Sequence, residues 1–328
     1  MTFKYNNVYI NDTALVTGPY EKNGPVGSFF DKSYSDFYFG SNTWESAESK
    51  LIEESVNILL SKLGKKKNEI DIHISGDLLN QISASNYAAS RLGIPYMGIY
   101  NACATSVEGL IIGSNMVESK QIKNCVVSVS SHNNAAEKQF RFPVEYGGPK
   151  PKTTTFTTTG GASCYLSYDK KGIKVDSATL GTVVDMGVTD VYHMGAVMAP
   201  AAAKTLYDHL TNTKREVDYY DLILTGDLGV YGKKIFKEYL KDEYNIEIKN
   251  YDDTAVMIYD IENQKVYAGG SGPACAPLVT YGYIFNKMKK GKLNKVLLIA
   301  TGALHSPSMV NEKFSIPSIA HAISLEVI

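Results

Sequence analysis

The strongest constraint on this chain is an internal repetition. Asp71-Ile-His-Ile-Ser-Gly-Asp-Leu78 is matched by Asp221-Leu-Ile-Leu-Thr-Gly-Asp-Leu228, an offset of 221 − 71 = 150. Ala102-Cys103-Ala104 is matched by Ala274-Cys275-Ala276, at 275 − 103 = 172. Asn124-Cys-Val-Val-Ser-Val is matched by Asn294-Lys-Val-Leu-Leu-Ile, at 294 − 124 = 170. A conserved order with a slowly changing offset describes two copies of one unit. Each copy alternates apolar strand-like runs with amphipathic helical stretches, which implies a largely parallel sheet with helices on both sides. The copies divide as 1–168 and 169–328, with Cys103 and Cys275 at equivalent turns near a pseudo-twofold axis.

The first of those turns carries the main candidate for chemistry. Tyr96-Met-Gly-Ile-Tyr100 is short, apolar and aromatic and follows Pro95, so it reads as a buried strand. Val107, Leu110, Ile111 and Val117 then recur at helical spacing. Cys103 lies between, where the unpaired N–H groups of a helix start favour thiolate over thiol. Such a cysteine is a nucleophile, part of an anion site, or a small packed side chain. Gly109 and Gly113 lie four apart and would let another helix approach closely.

Composition narrows the class. The net charge of −1 gives no field that attracts nucleic acid or anionic lipid. The four cysteines are scattered, without paired metal-ligand spacing, so neither a disulfide framework nor a metal or cofactor is expected. The first residues lack the apolar core of a signal peptide, and no apolar run approaches the ~20 residues that span a bilayer.

Other elements follow from local pattern. Trp44 to Leu63 makes a broad apolar helical face ending at Gly64. Thr153–Thr159, six threonines around Phe156, reads as a β-branched strand. Ala199 to Leu210 reads as a helix with Pro200 in its first turn. Ala255–Tyr259 and Lys265–Tyr267 read as short strands, and Ala268-Gly-Gly-Ser-Gly-Pro-Ala-Cys-Ala276 as a tight turn into a helix. His132 faces a pocket from a strand end or caps a turn. Arg141 pairs with a ligand carboxylate through its fork, or with Glu137 four residues earlier. Asp77 and Asp227 bind a ligand nitrogen through water, help hold calcium, or cap the next helix; two carboxylates alone make a poor calcium site. His305 reads as a surface residue more readily than a pocket one.

A duplicated α/β unit with a cysteine at the buried start of the first half's long helix resembles the thiolase superfamily. The resemblance covers essentially the whole chain and implies a five-layered αβαβα fold. Within it, Gly76-Asp-Leu-Leu-Asn80, Ser131-His-Asn133 with Glu137, Arg141 and Glu145-Tyr-Gly-Gly148, Thr189-Asp190, Met198-Ala-Pro-Ala-Ala-Ala203, Ala268-Gly-Gly-Ser-Gly272 and Ala300-Thr-Gly-Ala303 closely resemble the stage V sporulation protein AD family. That resemblance implies a protein that binds dipicolinic acid, pyridine-2,6-dicarboxylate, during its uptake into the developing spore. It implies work beside the membrane subunits of the same complex, in the cytoplasm or peripherally on the spore inner membrane. It also implies a homodimer, for which Cys125–Ser130 offers an apolar edge.

Departures from the superfamily bear on mechanism. Its condensing enzymes pair the cysteine with His and His or His and Asn, which polarise a thioester carbonyl and stabilise its oxyanion. The loop expected to supply one partner reads Thr225-Gly226-Asp227, and the Gly-rich turn expected to supply the other has neither residue. Asp227 would disfavour a thiolate and would not donate to an oxyanion. The expected ligand contacts are therefore Cys103, Asp77, Asn80, His132, Arg141, Asp227, Ser271, Gly272 and Cys275, with no catalytic set. Calcium enters with the ligand or does not. Helix-start N–H groups at the two cysteine turns would supply donors, with Asp77 and Asp227 at the rim or acting through water or calcium. The alternatives are an acyl-transferring condensing enzyme using Cys103 and a structural subunit with an empty pocket.

Overall fold

The computed structural model describes residues 1–140 and 150–328. Its strands, in chain order, are β1 Thr2–Lys4, β2 Tyr9–Thr17, β3 Lys32–Ser33, β4 Ile72–Gly76, β5 Tyr96–Gly98, β6 Asn124–Ser131 and β7 Phe156–Thr157. They continue with β8 Gly160–Ser167, β9 Ile173–Thr179, β10 Leu222–Thr225, β11 Tyr251–Asp253, β12 Gly270–Ser271, β13 Lys295–Ala303 and β14 Ser318–Val327.

Two sets of five strands share one order. The first runs β2-β8-β6-β4-β5 and the second β9-β14-β13-β10-β11. In each set the first two pairings are antiparallel and the last two parallel. A short antiparallel pairing of β2 with β9, Tyr9 against Lys174 and Ile10 against Ile173, joins the sets edge to edge.

Helices fill three layers around these sheets. Trp44–Leu63 and Ser83–Leu92 cover the outer face of the first set, packing on β2, β4, β6 and β8. Met194–Thr213 covers the outer face of the second, packing on β9, β13 and β14 and against the helix Gly229–Tyr244. Thr105–Glu118 lies between the sets and touches β4, β6 and β8 of one and β13 and β14 of the other. The helical run Cys275–Lys289, with a π-helical turn at Leu278–Ile284, accompanies it. The fold is thus α/β with five layers, αβαβα.

The buried helix explains its own glycines. A Cβ at Gly109 would stand 2.6 Å from Val127 Cγ1, and one at Gly113 2.7 Å from Cys125 Sγ. The expectation of a helix neighbour is therefore corrected: the two glycines let the helix settle onto β6. Trp44–Leu63 starts where Thr43 Oγ1 accepts from Ser46 N at 3.1 Å and ends at Gly64 with φ +63°.

Several local expectations change. Met194–Thr213 begins six residues before Pro200, because His193 Nδ1 caps it from Ala196 N at 3.3 Å; the proline sits inside the helix. Thr254–Met257 is a helical turn capped by Asp253, not a strand, and 265–267 is a turn. Only Phe156–Thr157 of the threonine run is strand, paired in parallel with Gly270–Ser271. Cys125–Ser130 lies in β6, hydrogen-bonded on both sides to β4 and β8 and buried throughout, so it is no edge. The free edge of that set is β5. Among the described residues no helix is long and apolar enough to cross a membrane.

Candidate functional site

A cavity of about 70 Å³ opens where the carboxyl ends of the strands meet, the usual place for a ligand in an α/β sheet. Cys103 and Ala102 come from the turn after β5, and Leu78 from the loop after β4. Thr155, Thr157 and Ser271 come from the β7–β12 ribbon, Met194 and Met198 from the helix of the second half. Leu78, Tyr100, Phe140 and His305 line both this cavity and an outer cleft of about 430 Å³. The cavity is thus the inner end of a longer groove.

The cysteine turn is held tightly. Ala102 takes φ +50°, a conformation a residue with a Cβ rarely adopts. Thr105 Oγ1 donates to Ala102 O at 2.6 Å and accepts from Asn101 N at 2.9 Å. Cys103 precedes the helix start by two residues, and the local N–H groups are used inside the turn: Ala104 N donates to Asn101 O at 3.0 Å. At the second turn Cys275 N donates to Gly272 O at 2.9 Å, and Gly272 N to Asp227 Oδ2 at 2.7 Å. These three N–H groups are engaged within the protein, which removes them from the donors the sequence suggested for a ligand.

Asp77 and Asp227 occupy equivalent loops but do different work. Asp77 is fully buried, and its two oxygens accept from Leu79 N at 2.8 Å and Ser85 N at 2.7 Å, which caps the helix Ser83–Leu92. In the second half that task falls to Asp253, which accepts from Leu228 N and Gly229 N at 3.1 and 3.0 Å. Asp227 is thereby released. It too is fully buried, and its carboxyl stands beside the thiols of both Cys103 and Cys275. Of the readings open for the pair, capping holds for Asp77, and the rim placement is corrected for both.

Burial dominates the electrostatics of this cluster. Burial first, then the neighbouring Asp227, hold the Cys103 thiol well above its ordinary 9.0, while the Gly272 N–H pulls slightly the other way. Burial, with the nearby Asp253, likewise lifts the Asp227 carboxyl well above 3.8, so the neutral acid is favoured. Oδ1 of Asp227 is buried without a hydrogen-bond partner among the described residues. The helix-start argument for a thiolate therefore fails here: desolvation and a carboxyl outweigh partial backbone charges.

The remaining expected contacts divide. Ser271 lines the cavity; Gly272, at φ +100°, passes so close to Ser131 that a Cβ would stand 2.6 Å from its Oγ. Cys275 is fully buried behind the cavity, 3.7 Å from Thr254 Oγ1. Asn80 is exposed on the outer cleft, its N donating to Gln139 Oε1 at 2.8 Å. His132 faces away from the cavity: Nε2 donates to Phe37 O at 2.7 Å, and Nδ1 accepts from Ala135 N at 3.4 Å. It is a neutral helix cap, its pKa brought down to about 4 by burial. Arg141 and Glu145–Gly148 lie outside the described residues. Glu137 lines the cavity and pairs with Lys150 at 2.5 Å.

Sequence reading missed three kinds of lining residue. His305 belongs to the cavity wall, its ring tilted against Phe140 with centroids 5.3 Å apart, not to the open surface. The signal was its place just beyond β13, where a strand's carboxyl end points into the site. Thr155 and Thr157 face inward with the period of two of an extended chain. Met194 and Met198 come from helix residues that only tertiary packing places here.

A family model for stage V sporulation protein AD (SpoVAD) matches residues 1–326. The stage V sporulation protein AD of Bacillus subtilis (strain 168) is 45% identical over 320 residues, 97% of this chain and 94% of that one. The chain belongs to the stage V sporulation protein AD family. Its fold is shared more widely. The 3-oxoacyl-[acyl-carrier-protein] synthase III of Aquifex aeolicus VF5 aligns with a TM-score of 0.60 at 13% identity, over 98% of this chain and 100% of that one. Cerulenin-bound OleA of Xanthomonas campestris aligns at 0.63 and 13%, over 99% and 98%. These set the SpoVAD family on the thiolase-like, ketoacyl synthase III frame, and at such identities the likeness concerns the fold alone.

Proposed function

We propose that this chain is a non-catalytic binding protein for dipicolinate, serving its uptake into the developing spore, on a frame of two units, 1–168 and 169–328. The observation that carries the non-catalytic part is the Asp227 carboxyl beside the Cys103 thiol. A thioester enzyme needs a thiolate and donors for an oxyanion; this thiol is held protonated, and the Gly272 N–H beside it is already bonded to Asp227. The groove suits a flat aromatic dianion. Leu78, Phe140, Met194 and Met198 give apolar walls, and Ser271, Thr157 and His305 give polar contacts. Membrane subunits of the sporulation complex are the partners on this reading, with the protein cytoplasmic or peripheral on the spore inner membrane.

The reading is tested by incubation with acyl-CoA. No acyl group should accumulate on Cys103 by mass spectrometry. Stoichiometric, hydroxylamine-sensitive acylation would favour the condensing enzyme instead.

The same reading includes a homodimer. β5 pairs on one side only, with β4, and Met97 on it is 38% exposed. An unpaired, partly apolar edge is a template for a second copy. Light scattering should give twice the chain mass of 36.0 kDa at micromolar concentration, and a clean monomer would count against the dimer.

A further inference from the structure

Charge is unevenly spread over this chain. Between 286 and 295 the sequence carries Lys287, Lys289, Lys290, Lys292 and Lys295 and no acidic residue. The turn 168–172, which joins β8 to β9, adds Lys170 and Lys171. The strand registers bring these two segments together. Val327, at the end of β14, donates from its N to Asn294 O at 2.9 Å on one side and pairs with Ile173 on the other. The two turns therefore lie two strand spacings apart, about 10 Å. Both are fixed by hydrogen bonds. Asn11 Nδ2 donates to Asp169 O at 2.8 Å and to Lys171 O at 3.0 Å. Asp221 Oδ2 accepts from Asn294 N at 2.5 Å and from Lys295 N at 3.0 Å. Little nearby cancels the charge. Lys170, Lys171, Lys289, Lys290 and Lys292 are exposed, and no ion pair holds them among the described residues, whereas Lys174 on β9 pairs with Asp176 at 4.0 Å. Asp221 is spent on backbone N–H groups, Glu326 accepts from the Tyr219 hydroxyl at 2.7 Å, and Asp169 offsets one charge. Tyr168 and Val327 stand beside the lysines, 47% and 38% exposed. The net charge of −1 rules out a global field; this one is local.

We propose that these two turns form a docking face for an anionic lipid surface, a proposal that rests on the peripheral membrane location included in the proposed function. The chemistry favours lipid over an acidic protein. The cations are lysines at turn tips, which act as hydrated point charges, whereas paired recognition of protein carboxylates favours the planar fork of arginine. Clustered lysines gain attraction from an anionic leaflet roughly in proportion to their number. An exposed tyrosine and valine among them suit the headgroup boundary, where a polar tip stays wet and an apolar body is covered. The placement of the cavity follows from β13. That strand leaves the basic turn at Lys295 and reaches the cavity wall at Ala303, 303 − 295 = 8 residues on. At about 3.3 Å per residue this is about 26 Å. The cavity thus lies about one strand length from the lipid and is filled from the aqueous side.

The test is co-sedimentation of the full chain with vesicles of phosphatidylglycerol and phosphatidylcholine in equal parts, compared with phosphatidylcholine alone. The native chain should bind the anionic vesicles and not the neutral ones, and should be released in about 1 M NaCl, where the Debye length is about 3 Å. Lys290→Glu combined with Lys292→Glu should weaken partitioning at least about tenfold. Lys234→Glu combined with Lys237→Glu makes the same change of charge at exposed positions of the outer helix Gly229–Tyr244. That pair should leave partitioning within about twofold, since its charges lie outside the face. Equal loss in both pairs would show that total charge governs, and would overturn the proposal. Unchanged binding in both would keep the peripheral location and remove this face from it. Equal binding to neutral vesicles would remove the electrostatic basis. A native chain that ignores anionic vesicles would also overturn the proposal, leaving the lysines to an acidic protein, and this outcome does not depend on any variant folding. Titration with dipicolinate in the absence of vesicles reads the ligand proposal separately, so the two fail independently.

Discussion

Cys103→Trp is expected to abolish dipicolinate binding. The cavity at Cys103 holds about 70 Å³, and an indole in place of a sulfur would fill it. The walls offer no relief. Ala102 is fixed at φ +50° by the Thr105 bonds, and Ser271 belongs to a paired ribbon. Overpacking of so constrained a site excludes a ligand before it unfolds the chain. Cys103→Ala makes the opposite change and should weaken binding by only about 1 kcal/mol, roughly fivefold, because a neutral thiol makes weak polar contacts. Calorimetric titration of both variants separates the cases. Unchanged affinity in the Trp variant would place the site elsewhere, and total loss in the Ala variant would mean that the sulfur bonds the ligand as a thiolate.

The second large effect concerns stability and pH. Glu21 is fully buried, accepting from Thr159 N at 2.9 Å and from the Tyr259 hydroxyl, and its Oε2 has no hydrogen-bond partner. Burial raises its carboxyl from 4.5 to about 7, against the downward pull of those hydrogen bonds. The direction of the linkage follows. Below pH 4.5 the group is neutral in both the folded and unfolded chain, and its contribution is fully present. As pH rises, the unfolded chain gives up its proton first, so that contribution falls and is lost as pH passes through 7. The rise from 4.5 to about 7 corresponds to about 3 kcal/mol. Glu21→Gln removes this titration. The unfolding free energy of the Gln variant minus that of the native chain should therefore increase by about 3 kcal/mol between pH 4 and pH 8. Denaturant titrations at several pH values measure it, and a pH-independent difference would show that Glu21 ionises at its ordinary value inside the fold.

The sequence was informative where function and fold depend on order along the chain. The offsets between Asp71–Leu78 and Asp221–Leu228, and between the two cysteine turns, reflect the strand order that recurs as β2-β8-β6-β4-β5 and β9-β14-β13-β10-β11. The cysteine turn itself was legible because a strand, a small-residue turn and a helix leave one reading. The electrostatics were not. Whether Cys103 is a thiol or thiolate depends first on its burial and then on Asp227, 124 residues later, which is spared capping duty because Asp253 caps the neighbouring helix. Asp77 and Asp227 have the same local sequence context, so no local argument distinguishes the cap from the freed carboxyl. His132 stayed between two readings, pocket or cap, and His305 was misread, for a related reason. Each follows a strand end, and only packing against Phe37 or Phe140 decides which ring turns inward to cap a helix and which lines the groove. The homodimer edge was misassigned to Cys125–Ser130 because apolar composition fits a fully paired central strand equally well.

On the proposed function, a thiolase-like frame with its cysteine held as a thiol serves as a receptor for a small aromatic dicarboxylate. Isothermal titration of the native chain with dipicolinate, with and without calcium, addresses it directly. The prediction is saturable, one-to-one binding per chain, lost in Cys103→Trp. Absence of heat under both conditions, with the protein shown to be folded, would contradict the claim and leave the cavity at Cys103 without this ligand.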